Sequence, residues 1–261
     1  MMARKTAFLK SIRIVVLVTI LFIVGMNAWH TKKRITSWNE PLQVVIYPIN
    51  GDGGQISSEY INSLAKDEFA YIAHFMKNEA HRYNVSIEEP ITIGFALEVR
   101  ELPPKPPIGG PLLRIIWWSL KLRYWVYRVN TYDAPVDIKL FLIYHDPNTH
   151  KVLKHSYGLE KGSVGIVNVF ASKRMAPTNN VIITHELFHT LGATDKYNLK
   201  TDQPLYPDGF AEPDLDARYP QSFAEIMGGK IPLSETKSET PDTLNKVIVG
   251  IQTAKEIKWI Q

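Results

Sequence analysis

The pentapeptide His185-Glu186-Leu187-Phe188-His189 constrains this chain more than any other stretch. Two histidines four residues apart share one face only if the segment is helical, and both imidazoles can then reach one metal ion. Glu186 lies about 100° round such a helix from His185, close enough to take a proton from water at that ion. The flanks favour the helix. Thr178, Asn179 and Asn180 offer N-caps after Pro177. Ile183, Leu187 and Leu191 recur every four residues and face away from the histidines, so one side can anchor in a core while the other lines a cleft. The spacing predicts a helix over Thr178–Leu191. Gly192 follows where a helix wants a left-handed terminator, and it lets the chain turn back.

That turn can bring Asp195, three residues on, to the metal. A catalytic zinc takes three protein ligands and keeps a fourth position open. No histidine occurs after His189, so a third ligand further along must be a carboxylate, and Asp195 is the nearest. The absence of cysteine excludes a thiolate ligand, a thiol nucleophile and a disulfide framework.

The stretch His185-Glu-Leu-Phe-His189-Thr-Leu-Gly192-Ala-Thr-Asp195 resembles the metzincin zinc signature, in the form with aspartate as third ligand. Snapalysin-type bacterial metalloproteases are similar in this respect. Metzincins also carry a methionine turn beneath the zinc, and Ala224-Glu-Ile-Met227-Gly-Gly229 resembles it, with Met227 lying 38 residues after His189. The resemblance covers residues 178–229. It implies an α+β, metzincin-like zincin domain with a twisted mixed sheet and an active-site helix. It also implies Zn2+ on His185, His189 and Asp195, Glu186 as general base, and hydrolysis of a protein or peptide substrate. No tyrosine follows closely on Met227, as in some metzincins. Tyr197, Tyr206 and Tyr219 are the candidates for a transition-state donor, with Tyr197 and Tyr219 preferred. Glu212, 23 residues past His189, is a rival third ligand that would make the site gluzincin-like. Gluzincins usually carry that glutamate on a second helix, and Pro213 argues against one here. A catalytically silent binding or scaffold protein on the same fold is the alternative from another class. Retention of Glu186 argues against it, because a structural zinc site closes its fourth position and needs no base.

Before the motif, strands are expected over Gln43–Ile49, Ile91–Val99, Val136–Tyr144 and Val164–Phe170, with a helix from Ser57 or Ser58 to about Tyr83. Val164–Phe170 is the expected edge strand for an extended peptide. Asp242 to Trp259 reads as a closing helix. Residues 102–132 read as an insertion: a Pro-rich loop, then the aromatic-basic segment Leu112–Val129. In that segment Arg114, Lys121 and Arg128 recur every seven residues and share a helix face. The segment is either a helix lying on a bilayer or a core helix with a basic stripe toward water. The lone histidines 74, 81, 145, 150 and 155 suggest no role.

The net charge of +4 belongs to the N-terminus. Residues 1–34 hold seven basic and no acidic groups; residues 35–261 hold 23 basic and 26 acidic, a net −3. A mildly acidic body carries no footprint for a phosphate backbone, so no nucleic-acid partner is expected. The expected domains are a basic segment 1–13, a transmembrane signal anchor 14–30 and a metallopeptidase domain 40–261. The apolar run Ile14–Trp29 spans about 24 Å as a helix, against a hydrocarbon core of about 30 Å. The expected placement is thus a single-pass membrane protein with its catalytic domain extracytoplasmic.

Overall fold

The structure, a computed structural model, describes residues 29–261 except 108, 154, 155 and 161; of residues 1–28 it describes Val15, Val18, Thr19, Phe22, Gly25 and Met26. The chain divides into two compact units, residues 1–37 and 38–261.

In the first unit, residues 29–37 are helical. The transmembrane anchor expected over 14–30 is overturned: among the described residues, no helix is long and apolar enough to cross a membrane. The apolar run is short, and the helical residues beyond it carry Lys32, Lys33 and Arg34. The single-pass, extracytoplasmic placement falls with the anchor. The basic segment 1–13, and 8 of the residues 14–28 besides Ile14, lie outside the described residues.

In the second unit the elements, in chain order, are β1 (Leu42–Asn50), α1 (Gln55–Ser63), α2 (Ala70–Arg82), β2 (Ile91–Phe95), α3 (Leu112–Arg128), β3 (Ile138–His145), β4 (Tyr157–Leu159), β5 (Val164–Phe170), α4 (Ala176–Leu191), β6 (Ala224–Glu225), β7 (Ile231–Pro232), β8 (Ser238–Glu239), β9 (Val247–Ile248) and α5 (Ile251–Glu256). The main sheet has the order β2-β1-β3-β5-β4. Its first four strands are parallel, and β4 pairs antiparallel with β5. The fold is α+β with a mixed sheet.

Parallel strands must be covered on both faces, which is why β1, β3 and β5 read as nearly continuous apolar runs. Alternation sorts their side chains. Val45, Tyr47, Ile49, Phe141, Ile143, Val164 and Ile166 form one cluster with Leu122 and Trp125 of α3. There Trp125 meets Phe141 at 4.7 Å between ring centroids, and Phe141 stacks on Tyr47 at 4.8 Å. The opposite face receives α1, α2 and α4; Tyr60 of α1 meets Tyr144 of β3 at 5.3 Å.

Four local expectations change. The helix expected over Thr178–Leu191 begins at Ala176 with Met175 at its N-cap, so Thr178, Asn179 and Asn180 lie inside it and cap nothing. The helix expected over 57–83 divides into α1, a 3-10 turn at Lys66–Phe69 and α2. Its apolar stripe jumps five residues from Leu64 to Phe69, and Leu64 is itself extended (φ −66°, ψ 137°). The closing helix shrinks to α5 because Val247-Ile-Val249 is β-branched and Val247–Ile248 pairs with β6. The strand Val164–Phe170 is not an edge: it lies between β3 and β4. The edge on that side is β4, whose three residues are too few to show a period.

Candidate metal centre

α4 packs against β5 and β4. Ile183, Leu187 and Leu191 enter the core, while the His185 and His189 side chains keep 14% and 17% of their surface exposed. Gly192 takes φ 104°, a left-handed angle unfavourable to a side chain, and its N–H donates to His189 O at 3.1 Å. The reversed chain then closes on the helix. His189 Nδ1 lies 2.9 Å from Ala193 O, and His185 Nδ1 lies 2.8 Å from Ile226 O. Asp195 Oδ1 lies 3.2 Å from His185 Nε2 and 3.1 Å from His189 Nε2.

Each Nδ1 faces a carbonyl oxygen and must donate, so each Nε2 presents its lone pair toward Asp195. Two ring lone pairs and a carboxylate oxygen repel one another unless a cation or an added proton holds them. Two imidazole nitrogens and one carboxylate oxygen form a donor set that suits zinc.

The electrostatics follow the same convergence. Burial pulls the His185 imidazole down, but hydrogen bonding to Asp195 and the nearby Glu186 charge outweigh it and leave the pKa raised. Burial acts upward on Asp195, yet the two histidines hold it far below the usual carboxylate range. Burial raises Glu186; the histidines and the Gly158 backbone N–H pull the other way. Glu186 Oε2 is buried and, among the described residues, has no hydrogen-bond partner. A carboxylate held this way keeps its capacity to accept a proton.

The other expected residues divide. Met227 is fully buried in the turn whose Ile226 carbonyl holds His185. The Tyr197 ring lies 6.2 Å from that of His185, and burial, with Asp195 and Glu186 nearby, pushes its hydroxyl up to about 12. Tyr219 packs on Phe210, and the Tyr206 hydroxyl donates to Pro213 O at 3.4 Å. Glu212 Oε2 accepts from Ser222 N at 2.9 Å, and the group of converging ligand atoms is His185, His189 and Asp195 without it.

Four supporting residues carry no role in the sequence reading. Glu225 is fully buried: Oε2 accepts from the backbone N–H of Met227 and of Gly228, each at 2.7 Å. Its Oε1 accepts from Gly250 N at 3.0 Å and Thr253 Oγ1 at 2.7 Å. Met227 O accepts from Lys196 N at 2.9 Å, tying this turn to the Asp195 loop. Lys196 Nζ reaches Glu256 Oε2 at 2.8 Å, and Glu256 also takes the Thr194 N–H and hydroxyl, each at 2.9 Å. Gly158 faces α4 because its neighbours Tyr157 and Leu159 face the α3 layer. A Cβ there would overlap the Glu186 carbonyl and come within 2.5 Å of His189 Cβ. An acid inside the otherwise apolar Ala224–Met227 run was the one available signal; the others have partners that are remote in sequence.

Glu256 gives a pH prediction. Burial raises its pKa, but Lys196 and Thr194 outweigh it and leave the folded value below the ordinary 4.5. A depressed carboxylate stabilises the fold above its unfolded pKa and loses that effect as pH falls through the folded one. Glu256→Gln is therefore expected to cost about 1–2 kcal/mol near neutrality, with the deficit disappearing below the ordinary carboxylate range. Urea unfolding of both proteins across pH 3–7, on the order of five points, checks this; a deficit independent of pH contradicts it.

A second trio, Asp52, His145 and His150, also converges. Its carboxylate is committed to two backbone N–H groups and a serine hydroxyl. Oδ2 accepts from Asp146 N at 2.7 Å and Ser57 Oγ at 3.0 Å, and Oδ1 from Gly54 N at 2.9 Å. Burial alone would raise Asp52; these donors hold it lowered. The trio reads as a lock between the turns after β1 and β3.

No family model matches this chain, and no curated protein does. Among solved structures, OgpA from Akkermansia muciniphila is similar at 12% identity and a TM-score of 0.37, over 82% of this chain and 58% of that one. A chaperone–substrate complex is similar at 13% identity and a TM-score of 0.40, over 84% of this chain and 33% of that one. The chain thus spans about a third to three-fifths of the length of these neighbours.

Proposed function

We propose that the chain is a zinc-dependent endopeptidase of metzincin type. One observation carries the reading: Asp195 Oδ1 lies 3.1 and 3.2 Å from the Nε2 atoms of both histidines of the H-E-x-x-H helix, with Glu186 buried beside them. The methionine turn under His185 and the left-handed Gly192 support it.

His185, His189 and Asp195 would hold the ion, and Glu186 and Tyr197 stay outside the ligand set. Zinc, when bound, supplies Lewis-acid polarisation of the scissile carbonyl and acidifies water. The Glu186 carboxylate accepts the proton of the attacking water and returns it to the leaving amine. The Tyr197 hydroxyl, on a ring 6.2 Å from that of His185, would donate to oxygen charge that develops in the transition state. The substrate adds as a strand to β4, whose outer edge pairs with no strand among the described residues. Backbone hydrogen bonds along that edge give binding with little sequence preference.

The test is metal content and casein hydrolysis on the full chain, before and after a chelator. About one zinc per chain is expected, with hydrolysis lost on chelation and restored by zinc. Protein purified and refilled with zinc that binds none contradicts the reading, and so does hydrolysis indifferent to the chelator.

A further inference from the structure

α3 carries two apolar stripes where a covering helix needs one. At 100° per residue, Trp118, Leu122, Trp125 and Val129 fall on one line and pack on the sheet core. Leu113, Trp117, Leu120, Tyr124 and Tyr127 recur at steps of four and three on a second line, about 150° away. That second line is in water: these five side chains are 77%, 60%, 53%, 66% and 82% exposed. Single exposed apolar residues need no explanation, but a continuous stripe along about 21 Å of helix does.

The charges flank the stripe. Arg114, Lys121 and Arg128 run along one side, and Arg123 lies on the other. Lys121 Nζ sits 5.5 Å over the Trp117 ring. Arg128 is paired with Glu101, while Leu112–Arg128 contains no acidic residue. This arrangement repels a second copy of itself. Its convex, aromatic crest needs a surface that yields to it. Tyrosine and tryptophan on the apolar line, with cationic stems reaching up beside it, suit the headgroup zone of an anionic bilayer.

We propose that α3 docks residues 38–261 on an anionic lipid surface, lying in the plane of the bilayer with Leu113, Trp117, Leu120, Tyr124 and Tyr127 inserted. The helix lies on the surface and does not cross it. The docking rests on α3 and is independent of any hydrolytic activity. Joined to the peptidase reading, it has a consequence for substrates. The Trp118 ring meets that of Tyr157 on β4 at 5.9 Å, and the next residue, Gly158, abuts the metal helix. Polypeptide segments held at the bilayer surface are then the substrate class.

The chain has no cysteine, so a single introduced one can be spin-labelled without further change. Full-length Leu113→Cys, Leu120→Cys and Tyr127→Cys would be labelled, with Glu59→Cys at an exposed position of α1 as reference. Each is measured alone, with phosphatidylcholine vesicles, and with vesicles containing phosphatidylglycerol. The ratio of oxygen to nickel-complex collisions is expected to rise at 113, 120 and 127 on phosphatidylglycerol, and to stay unchanged at 59. Adding Arg114→Glu and Lys121→Glu is expected to abolish the rise while every residue of the apolar stripe is kept. Because the readout sits on the helix, attachment of the chain elsewhere does not mimic it. Labels that stay in water overturn the proposal. So do an equal rise on phosphatidylcholine that survives charge reversal, and spin–spin broadening without vesicles, which would show a second copy on the stripe. None of these outcomes depends on zinc or peptide hydrolysis, so failure here and failure of the peptidase reading are separate results.

Discussion

Glu186→Gln is expected to bind zinc like the unsubstituted chain and to lose hydrolysis by about 10²–10⁴-fold in kcat/KM, or roughly 3–5 kcal/mol of transition-state stabilisation. The side chain keeps its shape and its place beside Gly158 but no longer accepts the water's proton. Asp195→Ala is expected to fail differently. It leaves both Nε2 lone pairs without the third donor, so zinc affinity drops by more than the roughly 10–100-fold typical of losing an outer partner, and activity goes with it. Zinc titration with a competing chelator, run beside peptide hydrolysis, separates the two. The opposite pattern, zinc retained by Asp195→Ala and lost by Glu212→Ala, would replace Asp195 by Glu212. Glu212 is already bonded to Ser222 N at 2.9 Å, which makes the first pattern the expected one. Hydrolysis undiminished in Glu186→Gln would remove the general base from the mechanism.

What the sequence displays about this site is local, and what it conceals is remote. The helix, its apolar anchor residues, the left-handed Gly192 and the return to Asp195 span 20 residues of continuous chain, 176–195, where periodicity and terminators have direct geometric meaning. The long strands are legible for the same reason, since β1, β3 and β5 are buried on both faces and read as apolar runs. The edge strand is not. β4 is three residues with a glycine at its centre, and its role comes from pairing with β5 and from the close approach of α4. Residues Val164–Phe170 have the stronger strand pattern because they are interior, so the pattern points away from the edge. The exposed crest of α3 was half legible. A segment rich in apolar residues on most of its circumference shows that it covers something, but only the packed structure tells which stripe is spent on the core. The N-terminal apolar run shows the converse limit: hydropathy and basic flanks suggest a span, while among the described residues no helix is long and apolar enough to make one.

Glu225→Ala is expected to destabilise the fold by about 3–5 kcal/mol and to weaken zinc binding by roughly 10–100-fold, although Glu225 belongs to no ligand set. Its carboxylate accepts four hydrogen bonds: Met227 N–H, Gly228 N–H, Gly250 N–H and the Thr253 hydroxyl. Burial leaves its pKa raised, against the pull of Thr253, Gly250, Gly228 and the nearby Lys196; all four hydrogen-bond partners are donors, which an acceptor-only carboxylate satisfies. Truncation leaves the Met227 and Gly228 N–H groups buried without an acceptor, and each such group costs about 1–3 kcal/mol. The methionine turn then relaxes, and with it the Ile226 carbonyl that fixes His185 Nδ1 at 2.8 Å. Lys196 N–H loses a fixed partner in Met227 O, so the Asp195 loop loosens from the other side. Glu225→Gln keeps an oxygen for one pair of donors but turns an amide NH2 toward the other. Its cost is expected to be smaller, about 1–3 kcal/mol. Urea unfolding of the metal-free proteins gives the stability difference, and zinc titration under conditions where each variant is folded gives the affinity. A Glu225→Ala protein as stable as the unsubstituted one would show that the turn is held by its backbone alone. A large loss of stability with unchanged zinc affinity would cut the link from this carboxylate to His185. The expected result is loss of both, because two of the donors that satisfy Glu225, the Met227 and Gly228 N–H groups, directly follow the Ile226 carbonyl that orients His185.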